Sequence, residues 1–390
     1  MMKIRHYIFL VSMGLTLLGV IMVFSTTGVY ADTQFKNSFF FLGKELVWLS
    51  IGMTLLMFGY KINIKFLQNN AVWLYVITLL LVLLTYTPLG VKIGGAQRWI
   101  RMGFFNFQPS EFLKFGVACL LSAYLYANPQ VIKEFWRGFA FCLFIIFISF
   151  ASVIGQPDFG TSMMIAVVGV MIMFVAGANL KYLFVLFISS IPLLIYCVVC
   201  FPYRMRRVVA FINPWEDPLG KGFQIVQSFL AIGRGHLTGV GLGESTQKLF
   251  YLPAAHTDFI FSILAEELGF IGCVAVIVAF LLITILSIVI AYKAGDIFDS
   301  LMALSLGSYI SMQALFNIAV VTGSVPTKGI PLPFISFGGS SLALNLLAIG
   351  LIMNISKRSE ILADKKLSQF AATKRKTPLV FNNGRKLARI

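Results

Sequence analysis

The sequence predicts an all-α polytopic membrane protein with about ten transmembrane helices and a long extracytoplasmic loop between helices 7 and 8. Three observations lead there. Hydrophobic residues make up 58% of the 390 and charged residues only 12%, with a mean hydropathy of +0.88; a soluble domain carries about 25% charged residues. Runs of about 20 mostly apolar residues, the length that crosses a bilayer, recur along the whole chain. The remaining charge is lopsided, 31 Lys and Arg against 15 Asp and Glu. That balance suits anionic lipid or an anionic substrate, not nucleic acid, and a basic tail on the cytoplasmic side.

Taken in order, the apolar runs fall near 7–27, 39–60, 71–88, 110–127, 136–155, 161–178, 181–201, 268–292, 301–322 and 340–356. The first, within MMKIRHYIFLVSMGLTLLGVIMVF, lacks a convincing small-residue cleavage site and is followed by further spans. It is therefore expected to stay as an uncleaved helix. The ten runs make one transmembrane domain, 1–356, with 202–267 as its large outer loop. The segment 357–390 is a basic cytoplasmic tail, and no soluble domain is expected on either side. An even count puts both termini on one side. Lys3, Arg5 and the ten Lys and Arg from Lys357 onward place that side in the cytoplasm.

Two details need a physical account. All five cysteines sit in apolar runs, and the Cys197–Cys200 spacing has no second pair or His cluster beside it, so packing is expected over redox or metal chemistry. The segments assigned outside, 89–110, 202–267 and 323–339, are more basic than those assigned inside, away from the termini. Arg98, Arg101, Arg207, Arg234, Lys248 and Lys328 are among their cations. Either the topology is inverted or these residues are kept outside to hold something anionic, and the strongly basic tail favours the second.

Four polar stretches interrupt the membrane-grade sequence. In GGAQRWIRMGFFNFQPSEFLKF (94–115), Ser110 reads as a helix N-cap with Glu111 in the first turn. Glu111 and Lys114, three apart, share a helical face. They form either a self-neutralising structural pair or a pair lining a cavity. In IGQPDFGTS (154–162), Asp158 either caps the helix beginning near Thr161 or belongs to a site. The long stretch 213–261 is rich in glycine, which allows tight turns and close backbone approach. Its GVGLG is only a weak phosphate-loop signal, with no Walker lysine after it. The fourth, TGSVPTKGIPLPFISFGGSS (322–341), holds three prolines and one cation, Lys328; non-helical backbone beside a bundle is tolerated where it lines a wet cavity.

These four stretches, in this order, resemble the SEDS family of bacterial cell-wall polymerases, the group containing FtsW, RodA and SpoVE. The resemblance covers residues 8 to 356. LGESTQKLFYLPAAHTDFIFSILAEELGFIG and Pro326–Thr327–Lys328–Gly329 are more similar to FtsW than to RodA, with Ser324–Val325–Pro326 and Phe337 as small departures. The resemblance implies a ten-helix glycosyltransferase in the bacterial inner (plasma) membrane. It would polymerise lipid II, a disaccharide–pentapeptide on undecaprenyl diphosphate, into glycan strands at the outer face. It also implies service at the division septum with a class B penicillin-binding protein transpeptidase and other divisome proteins.

That chemistry matches the residues. A glycosyl diphosphate already has a good leaving group, so the paired carboxylates of a glycosidase are not required. One base for the acceptor 4-hydroxyl is enough, and direct attack inverts the anomeric centre. Charge on the diphosphate needs Arg, Lys or a divalent cation such as Mg or Mn; no organic cofactor is expected. The resemblance assigns Asp258 as base or metal anchor, where an outer loop meets a bundle helix. Asp258 also reads as an N-cap for a helix beginning near Phe259, which would lower its pKa. Arg98, Arg101, Gln108, Glu111, Lys114, Asp158, His256 and Lys328 are the expected substrate-binding set, His256 as a polar neighbour. Either Glu266 or Glu267 is expected to pair with an outer-loop arginine. A lipid II flippase and a non-catalytic division scaffold are the rival classes. The first fits poorly with polar groups concentrated outside, the second with buried Glu111, Lys114 and Asp158.

Overall fold

The structure, a computed structural model, describes residues 3–376 apart from 94–95, 104, 201 and 249–250. The end of the basic tail, 377–390, lies outside the described residues. Each of the ten apolar runs is helical, and three shorter helices, α3, α9 and α10, lie between them: α1 Ile4–Phe35, α2 Phe40–Lys61, α3 Ile64–Asn69, α4 Ala71–Leu84, α5 Pro109–Ala127, α6 Phe141–Ile154, α7 Phe159–Val175, α8 Leu180–Val199, α9 Pro202–Ile212, α10 Phe223–Arg234, α11 Ile260–Tyr292, α12 Ile297–Val321 and α13 Gly339–Lys376. A π-helical turn, Phe135–Ala140, leads into α6. By length and apolar composition, α1, α2, the joined Phe135–Ile154, α11, α12 and the Gly339–Asp364 part of α13 are each enough to cross a membrane.

Helix ends follow local chemistry. Lys36 turns left-handed after α1, with φ 52°. Asn179 and Asp296 cap α8 and α12 by accepting from the Lys181 and Asp299 amides, which satisfies donors that a helix start leaves without a partner.

The bundle is apolar outside and polar within. Phe144, Phe147, Phe184 and Phe187 are exposed, whereas Glu111, Lys114, Asp158, Gln313 and Asn317 are buried. That arrangement belongs in lipid, where apolar side chains face the solvent and ionisable groups turn to the interior. Inside, α12 packs on α5, α7, α11 and α13, and α2 lies along α13. The last pair approaches closely: a Cβ at Gly350 would sit 2.2 Å from the Leu56 carbonyl oxygen. Small residues serve such crossings because apolar lipid offers no hydrophobic drive between helices.

The polar segments are more structured than a loop. The stretch 89–110 contains a three-stranded antiparallel sheet, β1 Gly90–Ile93, β2 Ala96–Met102 and β3 Phe105–Phe107, in that order. Val91 pairs with Trp99 and Ile100 with Phe107. The stretch 202–267 contains α9, α10 and the first turns of α11.

At Gly269 the long helix α11 breaks, with φ 66° and ψ −166°. The loop 236–241 fills the break. Val240 and Gly241 amides donate to the Glu266 and Glu267 carbonyls at 3.0 and 3.1 Å. Phe270 and Ile271 amides donate to the His236 and Leu237 carbonyls at 2.9 and 3.1 Å. The repeated glycines thus let one backbone lie against another: a Cβ at Gly239 would fall 2.1 Å from the Glu267 carbonyl oxygen. Side chains complete the attachment. Glu266 accepts from Ser245 and from the Thr246 amide, with Arg234 at 3.9 Å. Glu267 pairs with Lys248 at 2.9 Å. The expected pairing with an outer-loop arginine is met by Glu266.

Candidate active site

Two cavities of 430 and 470 Å³ meet at Arg98, Asp158, Asp258, Gly329 and Ile330, which line both. The first extends towards Lys44, Trp48, Gln108, Glu111, Lys114 and His256. The second extends past Arg207, Lys328 and Phe259 to apolar residues of α7, α8 and α12, among them Met163, Val198 and Phe316. A polar chamber and a more apolar one therefore share a wall of two carboxylates and a guanidinium.

Asp258 sits two residues before α11. The helix cap is Phe259, with no side-chain cap bond, so the expected N-cap role for Asp258 is not what the structure contains. Its carboxylate instead faces Gly329, where a Cβ would lie 2.7 Å from Oδ2. Burial pushes its pKa up to about 6, opposed by Arg207 and Arg98 and reinforced by Asp158. A carboxyl in that range is a better proton acceptor than an ordinary aspartate while still ionised at neutral pH.

Asp158 is both cap and cavity wall. It caps α7, accepting from the Thr161 amide at 3.2 Å and its hydroxyl at 2.8 Å. Gln108 donates to it at 3.5 Å, and Arg98 lies 3.9 Å away. Arg98 also donates to the Gln156 carbonyl at 3.2 Å, which ties β2 to the start of α7.

Lys114 and Glu111 form an ion pair at 2.9 Å on the wall of the first cavity, so the structural and cavity-lining alternatives are both met. Lys114 also donates to Gln313 at 2.9 Å. The expected Ser110 cap is corrected: Gln108 is the N-cap and Pro109 opens α5, because proline's fixed φ and missing N–H suit the first helical position.

His256 lies among rings, 5.7 Å from Phe41 and 6.0 Å from Phe337, and burial lowers its pKa. Lys328 lines the second cavity with its Nζ 4.1 Å above the Phe159 ring. Arg101 is the exception. It is exposed and lines neither cavity, because an odd separation from Arg98 along a strand turns it to the opposite face.

The expected substrate-binding set left out Arg207, named only among the outer cations, and Lys44, Trp48, Gln313 and Asn317 were missed altogether. Arg207 donates to the Thr327 carbonyl at 2.8 Å, but within Arg204-Met-Arg-Arg nothing marks which cation turns inward. The others were findable. Lys44 and Trp48 share a helical face, as do Gln313 and Asn317, whose amides interrupt an apolar span.

The sequence profile of the cell cycle protein family FtsW/RodA/SpoVE matches residues 5–361. The chain belongs to this family. Among curated FtsW/RodA/SpoVE relatives, it is 40% identical to stage V sporulation protein E of Bacillus subtilis over 351 residues, covering 90% of this chain and 96% of that one. It is 41% identical to a probable peptidoglycan glycosyltransferase FtsW of Geobacter sp. strain M18, covering 88% and 94%. Its fold is similar to a chain in a structure describing coordination of polymerization and crosslinking by a peptidoglycan synthase complex, with a TM-score of 0.73, 28% identity and coverage of 89% and 97%. It also shares the fold of Thermus thermophilus RodA, with a TM-score of 0.67 at 23% identity, covering 90% and 95%.

Proposed function

We propose that this chain is an FtsW-type peptidoglycan glycosyltransferase that polymerises lipid II during septal wall synthesis. The observation carrying it is the junction of the two cavities, where the Asp258 carboxylate, its pKa pushed up to about 6 by burial, stands beside Arg98 and Arg207. A base with adjacent fixed cations is what transfer from a lipid diphosphate requires.

In this mechanism Asp258 takes the proton from the acceptor sugar's 4-hydroxyl as that oxygen bonds to the donor's anomeric carbon. The bond from that carbon to the diphosphate oxygen breaks on the opposite face, and undecaprenyl diphosphate leaves with the electron pair. Arg98, Arg207 and Lys328 hold the diphosphate charge. The apolar side of the second cavity receives the start of the lipid chain. Among the described residues no group of three His, Cys, Asp or Glu forms a metal cage. A divalent cation would therefore be held by Asp258 together with diphosphate oxygens, as magnesium commonly is, and would supply charge neutralisation.

The ten helices all cross the membrane, with both termini in the cytoplasm and 202–267 outside. The partner is a class B penicillin-binding protein, in keeping with the similarity of the chain to one chain of a synthase complex that couples polymerization and crosslinking.

Purified protein in liposomes with labelled lipid II tests the proposal. Glycan polymer from the wild type and none from Asp258→Asn is the expected result. Scrambling of lipid II without polymer would make the chain a flippase, and neither activity would leave a scaffold.

A further inference from the structure

Asn317 lies one turn before the C-terminal end of α12, is 1% exposed, and lines neither cavity. An amide there is expensive, the more so because its Oδ1 is buried without a hydrogen-bond partner. Its Nδ2 explains its presence. That one nitrogen donates to the backbone carbonyl of Asp258 at 2.8 Å and to that of Ile330 at 2.7 Å, using both of its hydrogens.

The two carbonyls belong to the two chain segments that meet across the junction of the cavities. One carries Asp258, the other Gly329. The first segment is pinned at three consecutive carbonyls: His256 accepts from the Phe337 amide at 2.9 Å, Thr257 from the Ser336 hydroxyl at 2.5 Å, and Asp258 from Asn317. Only the last anchor comes from a bundle helix. One turn earlier, Gln313 donates to the Pro331 carbonyl at 3.0 Å while accepting from Lys114. Side chains of α12 thus hold Ile330 and Pro331 at a fixed height, and Asn317 sets Asp258 against them.

We propose that Asn317 is a positioning residue, which holds the Asp258 carboxylate against Gly329 at the reacting atoms. The separation it enforces leaves no slack, since a methyl group at Gly329 would lie 2.7 Å from Asp258 Oδ2. The residue touches no substrate and acts through Asp258. The inference rests on Asp258 being the base.

The test compares wild type, Asp258→Asn, Asn317→Ala, Asn317→Ser and Gly329→Ala in liposomes, with rates on lipid II expressed per folded enzyme. Misplacing a catalytic group by about 1 Å costs on the order of 100-fold. Asn317→Ala should therefore lose about 10- to 100-fold in kcat with KM for lipid II within about twofold of wild type. Asn317→Ser, which keeps one hydroxyl donor, should recover part of it. Gly329→Ala, at an exposed position, should show the same loss in kcat because its methyl displaces the carboxylate. Wild-type kcat in the Asn317 variants, or a loss expressed in KM, overturns the inference. If Asn317→Ala does not insert, wild-type kcat in both Asn317→Ser and Gly329→Ala overturns it equally. Normal polymerisation by Asp258→Asn would instead remove the base assignment itself, which keeps the two failures apart.

Discussion

The Lys114 ammonium stands 2.9 Å from Glu111 Oε2 and donates at 2.9 Å to Gln313 Oε1, with both charged residues buried. Removing one partner leaves the other charge uncompensated in the bundle, at a cost of roughly 3–5 kcal/mol. Thermal unfolding in detergent should show Glu111→Gln and Lys114→Met each strongly destabilised and the double variant milder than their sum. Additive losses would mean that the two residues do not act as a pair.

The rate of polymerisation should fall as pH drops through about 6, the point to which burial raises Asp258 against Arg207 and Arg98, with Asp158 adding to the rise. Stability runs the other way. Between about 4 and 6 the folded chain binds this proton more tightly than the unfolded chain, so this group's contribution to stability is lost as pH rises across that window. Asp258→Asn should therefore be inactive yet more thermally stable than wild type at pH 7. A variant melting lower than wild type at pH 7 and unchanged at pH 4 would contradict the assignment.

The cations should divide sharply. Arg98→Ala and Lys328→Ala should weaken lipid II use, with Lys328→Arg milder than Lys328→Ala. Arg101→Ala should polymerise at close to the wild-type rate, because Arg101 lies exposed on the far face of β2. Equal losses for Arg98→Ala and Arg101→Ala in initial-rate measurements would refute the two-faced strand.

Gly269 occupies backbone space open only to glycine, φ 66° and ψ −166°. Gly269→Ala should lose stability by at least the roughly 1–3 kcal/mol such strain costs, and more because its Cβ would meet the Gly239 amide nitrogen at 2.3 Å. A melting temperature equal to wild type would show that the break is not required.

Compartment reporters fused at Lys248 and at Ile390 should report opposite sides of the membrane. The basic tail and the even number of helices set that expectation; the same compartment for both fusions would rule out ten spans.

Much of this was legible in the sequence, for physical reasons. Hydropathy locates helices because bilayer thickness fixes their length, so all ten runs are helical. Polar residues inside such runs are conspicuous, and that singled out Glu111, Lys114 and Asp158. What stayed hidden depends on direction. A strand's faces decided between Arg98 and Arg101, and the turn of α9 chose Arg207. The cap expected at Ser110 moved to Gln108 because Pro109 claims the first helical position. The break in α11 was half legible: hydropathy started that span near 268, and the fold interrupts it at Gly269.

The loop seated in that break has a consequence for how the protein assembles. Four backbone bonds join 236–241 to the carbonyls and amides around Gly269, so with 202–267 outside, as proposed, the first turns of α11 complete their hydrogen bonding only after the loop has crossed the membrane and returned. The stretch from Phe270 to Tyr292 can then insert as soon as it is synthesised, whereas the Asp258 segment before it becomes rigid only after that crossing is finished. In the proposed topology, ordering of the segment around Asp258 is thereby tied to delivery of the loop to the outer surface, and a chain stalled on the inner side would hold a membrane anchor without an organised Asp258.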